Sequence, residues 1–223
     1  AVRLSADLGW QNARTTAPDW TIVPSGAVIP DAPDGTSGLV QPWSWMETRD
    51  AFVVLGAEVD LSETWTAYAK GGYAHTETEG VYTEMTGLQA NGDFTWNAYS
   101  FPSGGDHTSL EAGLRGGVEA AGLRHDLVLS ASYWDQRLST SRSGRLATGS
   151  SNLYAPVYGP APTGSILMLD DLGRTGRNTF SSLAFADTIT ALDDRLVLTL
   201  GGRWQKIKTA NYARNTRYDE SRF

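Results

Sequence analysis

The 223-residue sequence contains no cysteine, which excludes a disulfide framework, a thiolate zinc site and a thiol nucleophile, and leaves the redox compartment open. No stretch approaches the roughly 18 consecutive apolar residues of a membrane-spanning helix. That excludes helical spans only, because barrel strands carry a much weaker hydropathy signal. Basic residues are outnumbered, with 18 Lys and Arg against 25 Asp and Glu and a formal charge of −7, so the positive footprint of a nucleic-acid binder is missing. Catalytic signatures are lacking too: there is no G-x-S-x-G elbow, no H-E-x-x-H and no glycine-rich phosphate loop, and no enzyme is expected. His75, His107 and His125 are the only histidines and read as loop or turn residues without metal-type spacing. The segment "DAPDGTSG" (31–38) lacks the ligand spacing and closing Glu of a calcium loop and reads as a turn. The sequence opens "AVRLSADLGW", with neither Met nor a basic-then-apolar leader, and is read as part of a longer chain.

What is present is strand periodicity, almost throughout. Val2, Leu4, Ala6, Leu8 and Trp10 alternate with Arg3, Ser5, Asp7, Gly9 and Gln11. Leu110, Ala112 and Leu114 alternate with Glu111, Gly113 and Arg115, and Leu127, Leu129, Ala131 and Tyr133 with Val128, Ser130 and Ser132. Leu196, Leu198, Leu200 and Trp204 do the same against Val197, Thr199, Gly201 and Arg203. Such period-two patterning gives one apolar and one polar face. Seven strands are expected: 1–12, 47–59, 64–76, 108–120, 125–138, 177–190 and 195–209.

The connections carry more information than the strands. Three are short (60–64, 120–125, 191–195), and the others, roughly 13–46, 77–107 and 139–176 with the start of another after 209, are long and rich in Gly, Pro, Ser, Thr and Asn. Long structureless loops are uncommon in compact domains, yet here every second connection is one. An up-and-down sheet whose strands cross a layer produces that asymmetry, with tight turns on one side and large loops on the other. Ten residues at about 3.3 Å rise, tilted 45°, cover about 23 Å, close to the ~25 Å apolar band of transmembrane barrels. Alternation alone does not separate lipid from a protein core; the loop asymmetry favours lipid. The expected fold class is therefore an all-β, antiparallel, up-and-down transmembrane β-barrel segment, with 1–223 part of one barrel domain.

The block "FADTITALDDRLVLTLGGRWQKI" (185–207) resembles the TonB-dependent siderophore receptors of Gram-negative outer membranes. "TRDAFVVLGAEVDLSETWTAYAKGGYAHT" (48–76) is similar to the strand, turn and strand of the same family. "GLRHDLVLSASYWDQ" (122–136) and the Gly173-Arg174-Thr175 run resemble its ferric pyoverdine, coprogen and hydroxamate branch. The resemblance covers most of 1–209. It implies a 22-stranded barrel with a plugged lumen, of which this chain would supply about a third, without the plug or the barrel ends. It further implies uptake of a ferric siderophore, coupling to TonB through the missing plug, outer-membrane lipid around the wall, and no resident cofactor, since the siderophore itself ligates the iron.

Aromatic side chains combine large contact area with few rotors, which suits a bulky, partly apolar chelate. Trp43, Trp45, Trp96, Tyr99 and Tyr154 in the long loops, and Trp134, inward by strand parity, are the candidate ligand-binding residues. Phe101 and Tyr158 belong to the same loop set. Any of these could instead pack its own loop. Trp10, Tyr73, Tyr133 and Trp204, outward near the loop side, and Trp65 on the turn side read as an interfacial belt. Two other functions share the strand layout, a general porin or an adhesin-type barrel, and a soluble β-sandwich binding module is a third.

Overall fold

The computed structural model describes every residue except 19–21, 25–28, 34, 37 and 193, and only the backbone of 22–24. The turn expected at 31–38 therefore lies partly outside the described residues. One antiparallel sheet organises the chain. Its main path runs β1 (Val2–Thr16), β3 (Trp45–Asp60), β4 (Trp65–Leu88), β6 (Ser103–Ala120), β7 (Leu123–Thr140), β9 (Gly176–Ala191), β10 (Leu196–Asn211) and β11 (Thr216–Arg222). Three further strands, β2 (Ile22–Pro24), β5 (Asp93–Ser100) and β8 (Ala147–Asn152), lie on the loop side. Among the described residues the sole helical segment is a 3-10 turn, Leu169–Asp171.

All seven expected strands are present, each paired with the next in a continuous register. They are joined on one side by tight turns. At Ala121 and Gly122 the backbone adopts φ of 53° and 76°, the left-handed pair that a two-residue hairpin matching strand twist requires.

Two expectations need correction. The long loop expected after 209 is a short turn, in which the Arg214 N–H donates to Asn211 Oδ1 at 2.9 Å and Asn215 takes φ 49°, before β11 returns. Asn tolerates left-handed φ and bonds its own backbone, so this turn chemistry was present in the residues. The stretch 77–107 is not structureless either: β4 runs on to Leu88 and β5 folds back along it, Val81 facing Ser100 and Thr86 facing Thr95. Alternation continues through Val81, Thr83 and Met85, which is why the strand does not stop at the rim.

Among the described residues the eight-stranded wall has no buried hydrophobic core. Leu4 (80% exposed), Leu8 (77%), Leu129 (47%), Leu183 (51%), Leu198 (50%) and Leu200 (54%) stand open on one face, with no second layer of described residues over them. Cross-strand pairs put them on that face together: Leu4 with Ala57, Leu114 with Leu129, Leu129 with Phe185, Leu183 with Trp204. On β1, β4, β7 and β10 the apolar run ends on its loop side at Trp10, Tyr73, Tyr133 and Trp204 respectively. Val2 to Trp10 measures about 26 Å along the strand, or roughly 20 Å at a 40° tilt.

The opposite face carries the charged side chains of the wall, with Phe52, Val54, Val128 and Val197 exposed among them. Arg3 donates to Asp60 (2.8 Å) and Glu58 (3.2 Å), Arg115 to Glu58 (2.9 Å) and Tyr68 to Glu111 (3.0 Å).

Every residue of the buried hydrophobic cluster lies on the loop side: Val40, Val81, Met85, Leu88, Phe94, Trp96, Ala98 and Leu153. There β4, β5 and β8 extend the wall as a three-stranded flap. Val81, Met85, Trp96 and Ala98 continue the apolar face, but loop residues Val40, Trp43, Leu153 and Ile166 cover it. The same face is thus bare across the wall and sealed above it.

Candidate functional site

The polar face offers two aromatic groups. The first is in the wall. Trp134 of β7 stacks on Phe180 of β9, centroids 5.0 Å apart with planes at 19°, and His107 of β6 lies 6.3 Å from the indole. Below this pair a hollow of about 350 Å³ is lined by Lys70, Ser109, Glu111, Ser132 and Arg203. Its floor is open because Ser109 and Ser132 stand where larger side chains would fill the space, and charges of both signs line it.

The second group is on the flap. Strand β4 keeps its register from Trp65 to Thr86, so Tyr82, Glu84 and Thr86 continue the face that carries Lys70 in the wall. Tyr82 faces Tyr99 of β5 at 6.0 Å and meets Phe101 edge-on at 6.4 Å. The Arg142 guanidinium sits 3.6 Å over the Tyr99 ring and donates to Glu84 at 2.6 Å. Burial works to lower the Arg142 pKa, but Glu84, Tyr82 and Tyr99 together outweigh it and hold the value above normal, so the cation is permanent. Burial raises the Tyr82 phenol, which keeps it neutral and able to donate. Beside them Asn97 donates to Thr86 at 3.3 Å and accepts from Thr148 (3.0 Å) and Arg145 (3.3 Å). The result is an aromatic platform with two cations, Arg142 and Arg145, and several hydrogen-bonding edges, suited to a large, planar-sided ligand with polar groups.

The six candidates divide between faces. Tyr99 and Trp134 belong to these two groups. Trp96 is 3% exposed in the flap core, edge-to-face with Trp43 at 6.1 Å. A Cβ on Gly149 or Gly159 would come within 2.5 Å of its ring, so those glycines exist to let the indole in. Trp43 donates its indole N–H to the Gly159 carbonyl at 2.9 Å. Trp45 begins β3 on the apolar-face side, under the Arg14 guanidinium at 4.3 Å. Tyr154 is half exposed and donates its hydroxyl to the Asp31 carbonyl at 3.0 Å. The histidines, expected in loops or turns, are strand residues: His75 in β4, His107 in β6 and His125 in β7. Tyr82, Glu84, Arg142 and Phe180 were not singled out from the sequence. The signal for the first two was the unbroken alternation of "VYTEMT" (81–86).

Comparison with known proteins places this architecture. The described wall is an open antiparallel sheet that resembles part of the barrel of solved siderophore receptors. It superposes on the ferric preacinetobactin receptor BauA of Acinetobacter baumannii with a TM-score of 0.86 at 23% identity, covering 99% of this chain and 34% of that one. It matches the ferric-catecholate import receptor Fiu of E. coli K12 with a TM-score of 0.73 at 17% identity, over 94% and 32%. By sequence it is similar to the ferrichrome receptor FcuA of Yersinia enterocolitica, 29% identical over 214 residues, which is 94% of this chain and 28% of that protein. The chain thus spans about a third of the length of the proteins it resembles. No protein-family model matches it.

Proposed function

We infer that this chain forms part of the wall and extracellular loops of an outer-membrane receptor that captures a ferric siderophore and admits it by TonB-coupled movement of a plug carried elsewhere in the full-length protein. The observation that carries the reading is the bare apolar face of an eight-stranded wall, ended by aromatics, backed by a charged face. An uncovered apolar surface of this size is untenable in water and suits a bilayer. The apolar face then points outward to lipid and the polar face lines the interior. Similarity over nearly the whole chain to a siderophore receptor favours this reading over a general porin, an adhesin or a soluble sandwich. That relative is named as a ferrichrome receptor, which together with the resemblance of 122–136 supports a hydroxamate chelate as cargo. Iron is cargo here, ligated by the chelate; no resident cofactor is invoked.

Deleting the full-length gene in a strain fed siderophores is expected to abolish radio-iron uptake from one chelate. Unchanged uptake across a panel of hydroxamates and catecholates would end the transport reading. Within the receptor, Tyr99→Ala removes the ring beneath Arg142, and Trp134→Ala removes the stack on Phe180. Each should weaken chelate binding roughly threefold to tenfold, the worth of one aromatic contact. Titration of the purified receptor by intrinsic fluorescence checks this. Unaltered affinity in both variants would remove the polar-face aromatics from the site.

A further inference from the structure

The hollow in the wall and a cavity nearer the flap differ in kind. The hollow is lined by Lys70, Glu111 and Arg203. The cavity, of about 210 Å³, sits where β3, β4 and the start of β6 meet the flap. Met46, Thr78 and Gly80 line it from the sheet: Met46 opposes Gly80 across the β3–β4 ladder, and Thr78 opposes Ser103 of β6, which also lines it. At Gly80 the β3 backbone comes so near that a Cβ would strike the Trp45 carbonyl, so only glycine fits and no side chain enters from there. Tyr82 and Phe101, edge to face at 6.4 Å, border the cavity, as does Pro18 beyond the end of β1. Among the described residues around it the only ionised one is Glu79. Alternation puts the side chains of Glu79 and Trp45 on the other face, where Glu79 Oε1 accepts the Leu169 N–H at 2.7 Å and Trp45 lies under Arg14. The Thr78 hydroxyl is 3.3 Å from that of Thr48. A polar ligand group placed here would find few partners, and burying it unpaired is costly. Hydrocarbon gains by entering.

The cavity adjoins the aromatic platform, because Tyr82 and Phe101 belong to both and Tyr99 is 6.0 Å from Tyr82. A ligand seated on Tyr99 and Arg142 therefore reaches it through a short tether. We propose that this cavity is a subsite for a hydrocarbon tail, so that the cargo is an amphiphilic chelate: an iron-binding hydroxamate head on the platform, with an acyl chain packed against Met46, Tyr82 and Phe101. The inference rests on the siderophore-receptor reading and names the class of cargo within it. A cavity of about 150 Å³ holds a six-carbon ring, so this one takes a chain of roughly six to eight carbons.

The test uses the purified full-length receptor and the ferric complex of desferrioxamine B, acylated on its terminal amine with chains of two, four, six, eight or twelve carbons. Affinity is read by intrinsic fluorescence. Wild type should gain about twofold to fourfold per added methylene, the worth of one buried CH₂, and level off between six and eight carbons. Ser103→Leu, which fills the cavity, should flatten the series, leaving the two-carbon and six-carbon chelates within about twofold of each other. Thr78→Leu, entering from β4, should do the same. The wild-type series stands even where a variant fails to fold. A gain that continues to twelve carbons, or persists undiminished in both folded variants, marks partition into detergent and overturns the subsite. Failure of every chelate to bind, the two-carbon one included, would bring down the hydroxamate reading and the subsite together. Binding of the two-carbon chelate with no gain on lengthening overturns the subsite alone.

Discussion

Leu129→Arg in the full-length receptor is expected to lower stability in lipid by about 2–4 kcal/mol, the cost of a cation near the middle of a barrel's apolar band. Leu129 lies at the centre of the β7 run and is 47% exposed, between Leu114 and Phe185. Its neighbour Val128 is 40% exposed on the opposite face, and Val128→Arg is expected to cost less than about 1 kcal/mol, since exposed substitutions away from special features are nearly neutral. The pair is informative because the two residues are adjacent, apolar and comparably open, so propensity and local backbone cancel. Guanidinium titrations of both variants in lipid vesicles give the two values. Small, equal effects would mean that both faces meet water, and the outward orientation of the leucines would be lost.

Trp96→Ala should destabilise the flap by about 3–5 kcal/mol, as for a large aromatic removed from a packed core. The indole fills the space between Gly149, Gly159 and Trp43, and the flap's buried cluster is small. The wall shares none of that cluster, so the loss should stay local. Limited proteolysis is expected to cut first within 141–168, while heat denaturation of the wall stays within a few degrees of wild type. Trp96→Phe should restore most of the resistance. Intact, protease-resistant loops in Trp96→Ala, together with lost chelate affinity, would instead make Trp96 a contact residue.

The wall was legible in the sequence because its information is local. A strand with one bare and one wet face writes its period into every second residue, and seven such runs were readable with their turns. The flap was less legible because it obeys a different rule: Trp96 and Val81 are buried by loop residues far away in the chain, such as Val40 and Leu153, and no local pattern announces that cover. Position alone therefore grouped Trp43 and Trp96, which pack, with Tyr99, which faces the interior. Arg142 was invisible for a related reason. It meets Tyr99 and Glu84 only because β5 folds back along β4, a pairing made within a stretch that reads as loop. Strand parity did succeed for Trp134, where the alternation from Leu127 was unbroken.

In the main path each strand's partners are its neighbours in order along the chain, from β1 to β11. Such a ladder keeps contacts short-range between hairpin mates, and closing the tight turns costs little entropy. Each completed hairpin presents a fresh edge whose hydrogen-bonding groups await the strand that follows. Growth can then proceed like a zip, in the sequence of synthesis, with no strand having to thread between two already joined.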